Sequence, residues 1–109
     1  MTEPGVSAPL SFADGRTLKI HFPAFTPQIT FHANQTLTVE IVDGDNAGFR
    51  DTIPYRAVTL RQKLVVLSWK EQIGSAVVQV LDRDAGQTYA VLAPAEGGLL
   101  SLEGTIEWG

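Results

Sequence analysis

The 109-residue chain contains no cysteine, and this absence removes several kinds of chemistry at once. Without cysteine there is no disulfide, no thiolate zinc site and no thiol nucleophile. The absence is also typical of proteins that live in a reducing compartment. Residues 1–15 lack the basic start and the long apolar run of a secretory signal. The sequence therefore predicts a cytoplasmic location.

Positive charge is scarce as well. The chain has 8 basic and 12 acidic residues, which gives a net charge of -4. Such a surface offers no basic patch for a nucleic acid, and its sign disfavours an anionic membrane surface. The apolar runs, such as Leu64 to Leu67, are far too short to cross a bilayer. We therefore expect a soluble protein that binds neither nucleic acid nor membrane.

Motifs for catalysis and for cofactors are missing too. No serine lies in a Gly-x-Ser-x-Gly elbow, and no glycine-rich phosphate loop is present, so we predict no cofactor. His21 and His32 are expected to be diagonal neighbours across the first hairpin, with Lys19 directly opposite His32. Because Lys19 would repel a cation and a third ligand is lacking, we interpret them as surface histidines and predict no metal site.

What the chain does contain is a series of short segments in which apolar and polar residues alternate. This alternation is the pattern of half-buried β-strands, and no segment has a sustained helical period. Residues 1–16 are rich in small residues, Pro and Gly and are predicted to be a flexible arm before a single domain, residues 17–109. The predicted strands are residues 17–22, 28–33, 37–42, 53–61, 64–70, 75–82, 87–93 and 99–108.

Short turns between these strands predict a small antiparallel up-and-down barrel of about eight strands, with an open sandwich as the alternative. In the hairpin around Asn34 to Thr36, we expect Leu37, Val39 and Ile41 to face Ala33, Phe31 and Ile29. Residues 83–86 suit a tight turn that ends in a left-handed glycine. Gly104 interrupts an apolar strand face and indicates a bend or a close backbone approach.

The register of the hairpin around Gln62 and Lys63 is left open by the sequence. A three-residue connection would place Tyr55 opposite Trp69, whereas a two-residue turn would place Arg56 there. A slip by one residue moves every side chain of a strand to the other face of the sheet. Two alternatives for the barrel interior therefore stay open at this point.

The spacing of several segments in the second half resembles the MoaF-like family. The residues that carry the resemblance are Tyr55 to Leu60, Leu67-Ser68-Trp69-Lys70-Glu71 and Val78 to Asp82, followed by Gly86 and Tyr89. The resemblance covers about residues 16–108. It implies a calycin-type, lipocalin-like barrel that is open at one end to a pocket, and it supplies no catalytic residues. The barrel is also similar in architecture to that of phenolic acid decarboxylases.

Trp69 and Glu71 form the most informative pair, because residues two apart on a strand share a face. An aromatic wall beside one ionisable group suits a pocket for a small ligand. The alternative is that Trp69 is ordinary core and that Glu71 has already reached a solvated turn. The predicted ligand-binding set combines aromatic walls with polar orienting groups and consists of Tyr55, Arg56, Trp69, Glu71, Gln79 and Tyr89.

Three functions are consistent with these features. The first is a binding module that holds a small, partly apolar molecule inside the barrel. The second is a barrel enzyme without cofactor, of the lyase or decarboxylase kind, that acts on an aromatic or carboxylated substrate with Glu71 as acid or base. The third is a structural or interaction subunit with a packed core. Because Leu64 to Leu67 is apolar on both faces, we also expect a homodimer.

Overall fold

Eight antiparallel strands close into a barrel in the computed structural model, which describes residues 13–109. Each strand pairs with the next along the chain, and β8 pairs with β1, so the predicted up-and-down barrel is confirmed. Among the described residues no helix is long and apolar enough to cross a membrane. The strands are β1 (Thr17–His21), β2 (Phe25–His32), β3 (Thr36–Gly44), β4 (Arg50–Arg61), β5 (Leu64–Lys70), β6 (Ala76–Asp82), β7 (Gln87–Ala93) and β8 (Leu100–Trp108).

The predicted N-terminal arm falls mostly on residues 1–12, which lie outside the described part of the chain. The four residues that follow are attached to the barrel. Ala13 is buried, and the N–H of Gly15 donates a hydrogen bond to the carbonyl of Phe31 at 2.8 Å. The N–H of Phe31 in turn donates to the carbonyl of Arg16 at 3.0 Å. Residues 13–16 therefore form a turn that is hydrogen-bonded to β2 before β1 begins.

Alternate residues of each strand point into the barrel and form its core. Burying a large aliphatic or aromatic side chain stabilises a fold by about 1.5–3 kcal/mol. The contributions of the core residues are therefore what offset the conformational entropy lost on folding. The largest fully buried side chains are Phe31, Leu18, Ile20, Ile29, Leu37, Leu67 and Leu81.

The two ends of the barrel carry different connections. What we call the upper end carries the connections of residues 22–24, 45–49, 71–75 and 94–99. The lower end carries residues 13–16, 33–35, 62–63, 83–86 and 109.

The first hairpin differs from its predicted register. Leu18 lies opposite Ile29 and Lys19 opposite Gln28, because the N–H of Phe22 bonds the carbonyl of Phe25 in a tight turn. The sequence placed Pro27 in the connection. Instead Pro27 lies inside β2, beside a β-bulge between Thr26 and Pro27, and a bulge is one of the few positions in a strand that tolerate proline.

As a consequence, the prediction that His21 and His32 are neighbours is wrong. His21 ends β1 at the upper end, where its Nε2 lies 2.9 Å from Oε1 of Glu107. His32 ends β2 at the lower end, where its Nε2 lies 2.8 Å from Oγ1 of Thr38. Within residues 13–109 no three His, Asp or Glu side chains cluster as metal ligands would.

The hairpin between β2 and β3 keeps the predicted faces but not the predicted pairs. Leu37 lies opposite Phe31, two residues away from the expected register. Residues 33–35 form a 3₁₀ turn in which Asn34 and Gln35 both adopt left-handed backbone angles. Asparagine is one of the residues that tolerate this conformation. Ala33 was predicted to point inward, and this is wrong, because the turn carries it into solvent.

The open question about the hairpin between β4 and β5 is resolved by a β-bulge. The turn contains two residues, since Arg61 pairs with Leu64, and Lys63 adopts the left-handed conformation. One additional residue on β4, between Thr59 and Arg61, then shifts the register. Tyr55 therefore lies opposite Trp69, as the three-residue alternative predicted, although the turn itself is the shorter one.

Gly104 makes the close backbone approach that the sequence indicated. A Cβ at this position would lie 2.5 Å from the carbonyl oxygen of His21 and 2.9 Å from the ring of Phe22. The first of these atoms belongs to the backbone of β1, so it cannot rotate away. Gly104 therefore lets β8 approach β1 where the barrel closes.

We predict that Gly104→Ala destabilises the protein by about 1–3 kcal/mol, the usual range for overpacking. At a glycine without such a contact and with ordinary backbone angles, the same change stabilises by about 0.4–1 kcal/mol. Chemical denaturation measures the difference. Thr105→Ala, an exposed position on the same strand, is the control and is expected to change stability by less than about 0.5 kcal/mol. A Gly104→Ala variant more stable than the wild type would contradict the prediction.

Candidate functional site

Trp69 and Glu71 meet at the upper end of the barrel. Trp69 is the last inward-pointing residue of β5 and is buried, with 8% of its surface exposed. Its indole Nε1–H donates a hydrogen bond to Oε2 of Glu71 at 3.3 Å. Glu71 follows the strand, so it is in a connection, but it is only partly exposed. The indole and the carboxylate are thus side by side, as their spacing predicted.

The loop after β5 holds Glu71 in this position. The N–H of Glu71 donates to the carbonyl of Ser75 at 2.7 Å, and the N–H of Gly74 donates to the carbonyl of Glu71 at 2.8 Å. Gly74 has a φ of 102°, a backbone conformation that residues other than glycine rarely adopt. These bonds fold residues 71–75 into a tight turn, which directs the Glu71 carboxylate towards the indole N–H of Trp69.

Asp51 also belongs to this site, although it is not among the predicted site residues. It lies at the start of β4 and is buried, with 8% of its surface exposed. Its Oδ2 accepts a hydrogen bond from the backbone N–H of Gln72 at 2.8 Å, and its Oδ1 accepts one from Nε2 of Gln72 at 2.6 Å. Asp51 therefore fastens the loop of Glu71 to β4.

A signal for Asp51 was present in the sequence. The alternation of inward residues Ile53, Tyr55 and Ala57 continues backwards to Asp51, so the period of a strand begins two residues before the predicted start. An aspartate next to a glycine-containing polar segment is more typical of a solvated loop. Because of this loop-like composition, the predicted strand begins only at Ile53, although the alternation of a strand already includes Asp51.

The electrostatics of the site centre on Glu71. Burial raises the pKa of this carboxyl group, because a charged carboxylate loses favourable hydration there. The hydrogen bond from Trp69 lowers the pKa in part, and the negative charge of Asp51 raises it further. Within residues 13–109 neither carboxylate forms an ion pair with a basic side chain. The site is therefore a partly dry, negatively charged surface beside an indole ring.

Tyr55 and Gln79 also point into the barrel, but both belong to its packed interior. Tyr55 is buried with its ring edge-on to Phe31, at 5.4 Å between centroids. Burial raises the pKa of its hydroxyl, and the charge of Asp14 raises it further. Gln79 has 2% of its surface exposed and donates from Nε2 to Oγ1 of Thr88 at 3.0 Å. Gln79 therefore satisfies a polar partner within the core.

Arg56 and Tyr89 lie on the outer face of the barrel, away from the other four predicted site residues. Arg56 is exposed opposite Ser68, because Tyr55 takes the inward position in this register. Tyr89 has 44% of its surface exposed and donates from its hydroxyl to Oγ of Ser101 at 3.3 Å. Strand alternation separates these two side chains from the interior, so they cannot be walls of an internal pocket.

The lower end of the barrel is occupied by aromatic and cationic side chains. Trp108 stacks on Phe31 at 6.1 Å between ring centroids. The guanidinium carbon of Arg16 lies 4.3 Å from the centroid of the Trp108 ring, and that of Arg83 lies 5.1 Å from it. These distances are within the range of cation–π attraction. The upper end is therefore the better candidate for a binding site.

The fold is an up-and-down barrel of eight strands, and comparisons with known proteins agree with that class. The MoaF-like family model matches residues 14–107, so the chain belongs to the MoaF-like family. A crystal structure of a Burkholderia vietnamiensis protein, provisionally named a beta-lactamase, has a TM-score of 0.87 and 18% sequence identity. The match covers 94% of this chain and 100% of that chain, and it shows the fold alone. No curated protein matches.

We predict that two substitutions move the pKa of Glu71 in opposite directions. Asp51→Asn removes a negative charge and is expected to lower it, whereas Trp69→Phe removes the hydrogen-bond donor and is expected to raise it. The pH titration of the Glu71 side-chain carboxyl by ¹³C nuclear magnetic resonance measures both. Tyr89→Phe on the outer face is the control and leaves the titration unchanged. Shifts of the same sign in the two variants would be inconsistent with this electrostatic account.

A second prediction concerns the pH dependence of stability. Because the pKa of Glu71 is raised in the folded state, the folded protein loses stability as the pH rises through that value and the carboxyl ionises. Glu71→Gln cannot ionise. The two proteins should have equal melting temperatures below the ordinary glutamate pKa of 4.5, and the variant should become the more stable one above it. Equal melting temperatures at every pH would refute the prediction.

Proposed function

We propose that this protein is a binding module for a small organic molecule that lies at the upper end of the barrel, against Trp69 and Glu71. The observation that carries the proposal is the half-buried Glu71 carboxylate beside an indole ring, with the Asp51 carboxylate close by. Holding such a charge away from water costs free energy, and the one hydrogen bond from Trp69, at 3.3 Å, offsets only part of that cost. A bound ligand with a positive or hydrogen-donating group would offset more of it.

The chemistry of the site favours one class of ligand. An amine or another strong hydrogen-bond donor would neutralise the carboxylates, and an apolar group attached to it would pack on the indole. The ligand would occupy the mouth, since Phe31, Leu67 and Leu81 fill the interior below it. This placement replaces the expected one deep inside the barrel.

The filled interior supports a second candidate function. Within residues 13–109, seven large side chains inside the barrel are fully buried. A packed core of this kind is consistent with a structural or interaction subunit. An enzyme that uses Glu71 as an acid or base would also benefit from the raised pKa, but the described residues bring no second catalytic group to it other than Asp51. We therefore place ligand binding first.

The proposal can be tested with benzylamine, benzyl alcohol and benzoate, which share one ring and differ in charge. We expect benzylamine to perturb the indole N–H resonance of Trp69 with the highest affinity and benzoate to give no response. Glu71→Gln should weaken benzylamine binding by about tenfold or more, as the loss of a charge-assisted hydrogen bond of about 1.5–3 kcal/mol requires.

Tyr89→Phe serves as the matched control and should bind benzylamine like the wild type. Native mass spectrometry of protein purified from its host gives an independent check, since a co-purifying amine that is lost in Glu71→Gln would support the site. Binding of the three compounds with equal affinity, or binding that Glu71→Gln does not change, would favour the interaction subunit instead.

A further inference from the structure

A row of inward-pointing apolar side chains stays partly exposed at the upper end of the barrel, on β6, β7 and β8. Val77, Leu92 and Leu100 lie directly opposite one another in successive strand pairs. Trp69 of β5 lies opposite Val77 and points inward, and paired residues share a face, so the whole row points inward. Exposure rises across the row, from 8% at Trp69 to 49% at Leu100. We call Val77, Leu92 and Leu100 the apolar slot.

The exposure of the slot results from the uneven closure of the barrel between β1 and β8. β1 ends at His21 and pairs with residues 105–108 of β8, whereas β7 pairs with β8 from Leu100 to Thr105. Among residues 13–109, the segment from Leu100 to Gly104 therefore has a paired strand only on its β7 side. No described strand continues the wall beyond Leu100, and this side chain stays open to solvent.

A carboxylate lies at the other end of the same row. Glu71 accepts the hydrogen bond from the indole of Trp69, and the negative charge of Asp51 acts on it. β5 and β8 are three of eight strands apart in the closed barrel, so Leu100 faces the indole across the opening at the upper end. The opening thus has a carboxylate on its β5 side and an apolar inner surface that leads from there to the open edge of β8.

We infer that the apolar slot receives the unbranched hydrocarbon chain of a primary amine whose ammonium group lies at Glu71. The inference rests on the proposed function, which places an amine at this carboxylate, and it adds the class of amine. The chain lies across the opening, because fully buried side chains such as Leu67 fill the interior below. Each of three strands contributes one side chain to the slot, so the contact is long and narrow and fits a linear chain.

The width of the opening sets the length of the chain. Three strand spacings, about 14 Å along the wall, separate β5 from β8, and the side chains project inward from both sides. Anchored at Glu71, n-butylamine is too short to reach Leu100, whereas n-octylamine spans the opening. Each methylene group that leaves water strengthens binding by about fourfold. Affinity is therefore expected to rise with chain length.

Titrations with n-alkylamines, followed through the indole N–H resonance of Trp69, test the inference. We expect n-octylamine to bind about tenfold or more tightly than n-butylamine. Leu100→Ser should weaken the binding of n-octylamine by about fivefold and leave that of n-butylamine unchanged. Because Leu100 is half exposed, we expect the variant to fold, and circular dichroism checks this.

Two controls separate the slot from a general apolar effect and from a general charge effect. Leu99→Ser makes the same change one residue earlier, at a side chain that is 68% exposed and outside the row, and should bind both amines like the wild type. n-Octanoate has a chain of the same kind with the opposite charge and should not bind. Binding of n-octanoate as tight as that of n-octylamine would overturn the inference.

The outcomes also distinguish the slot from the proposed function. Equal affinities for n-octylamine and n-butylamine, or binding of n-octylamine that Leu100→Ser leaves unchanged, would overturn the inference. The Glu71-dependent binding of benzylamine would then still support the proposed function. Amine binding that Glu71→Gln does not weaken would overturn both.

Discussion

The β-bulge between Thr59 and Arg61 is the constraint on which both surfaces of the barrel depend. It converts a two-residue turn into a register that places Tyr55 opposite Trp69. Strand alternation then assigns the residues of β5 in turn to the interior and to the outer surface. Without the bulge, the apolar set of β4 would face solvent while that of β5 stayed inside. The inward position of Trp69 at the upper end and the outward position of Arg56 are therefore two results of one additional residue.

The upper and lower ends of the barrel use aromatic residues in different ways. At the lower end Trp108 is covered by guanidinium groups and packs on Phe31, so its ring is used for closure. At the upper end Trp69 has a carboxylate beside it in place of a cation. The two tryptophans therefore have neighbours of opposite charge, guanidinium groups at one end of the barrel and a carboxylate at the other.

The sequence predicted the fold well because alternation and turn residues are local signals. The Trp69 and Glu71 pair and the close approach at Gly104 followed from spacing alone. The pairing of β1 with β2 did not, because Pro27 is typical of a connection and a bulge that accommodates it leaves no local trace. Asp51 was missed because its polar, glycine-containing surroundings are typical of a loop, although the strand period continues back to it. Its partner Gln72, which would have distinguished the two readings, is 21 residues away in the chain.

The seam between β1 and β8 differs from the other seven strand pairs in one respect. Those seven join neighbours in the chain, whereas the seam joins residues near position 20 to residues near position 106. Bringing such distant segments together costs more chain entropy than forming a hairpin. The meander of β2 to β7 can therefore assemble locally, and the barrel would close in a last, slower step. Transient opening of the folded protein would begin at this seam, and amide hydrogen exchange there would report it first.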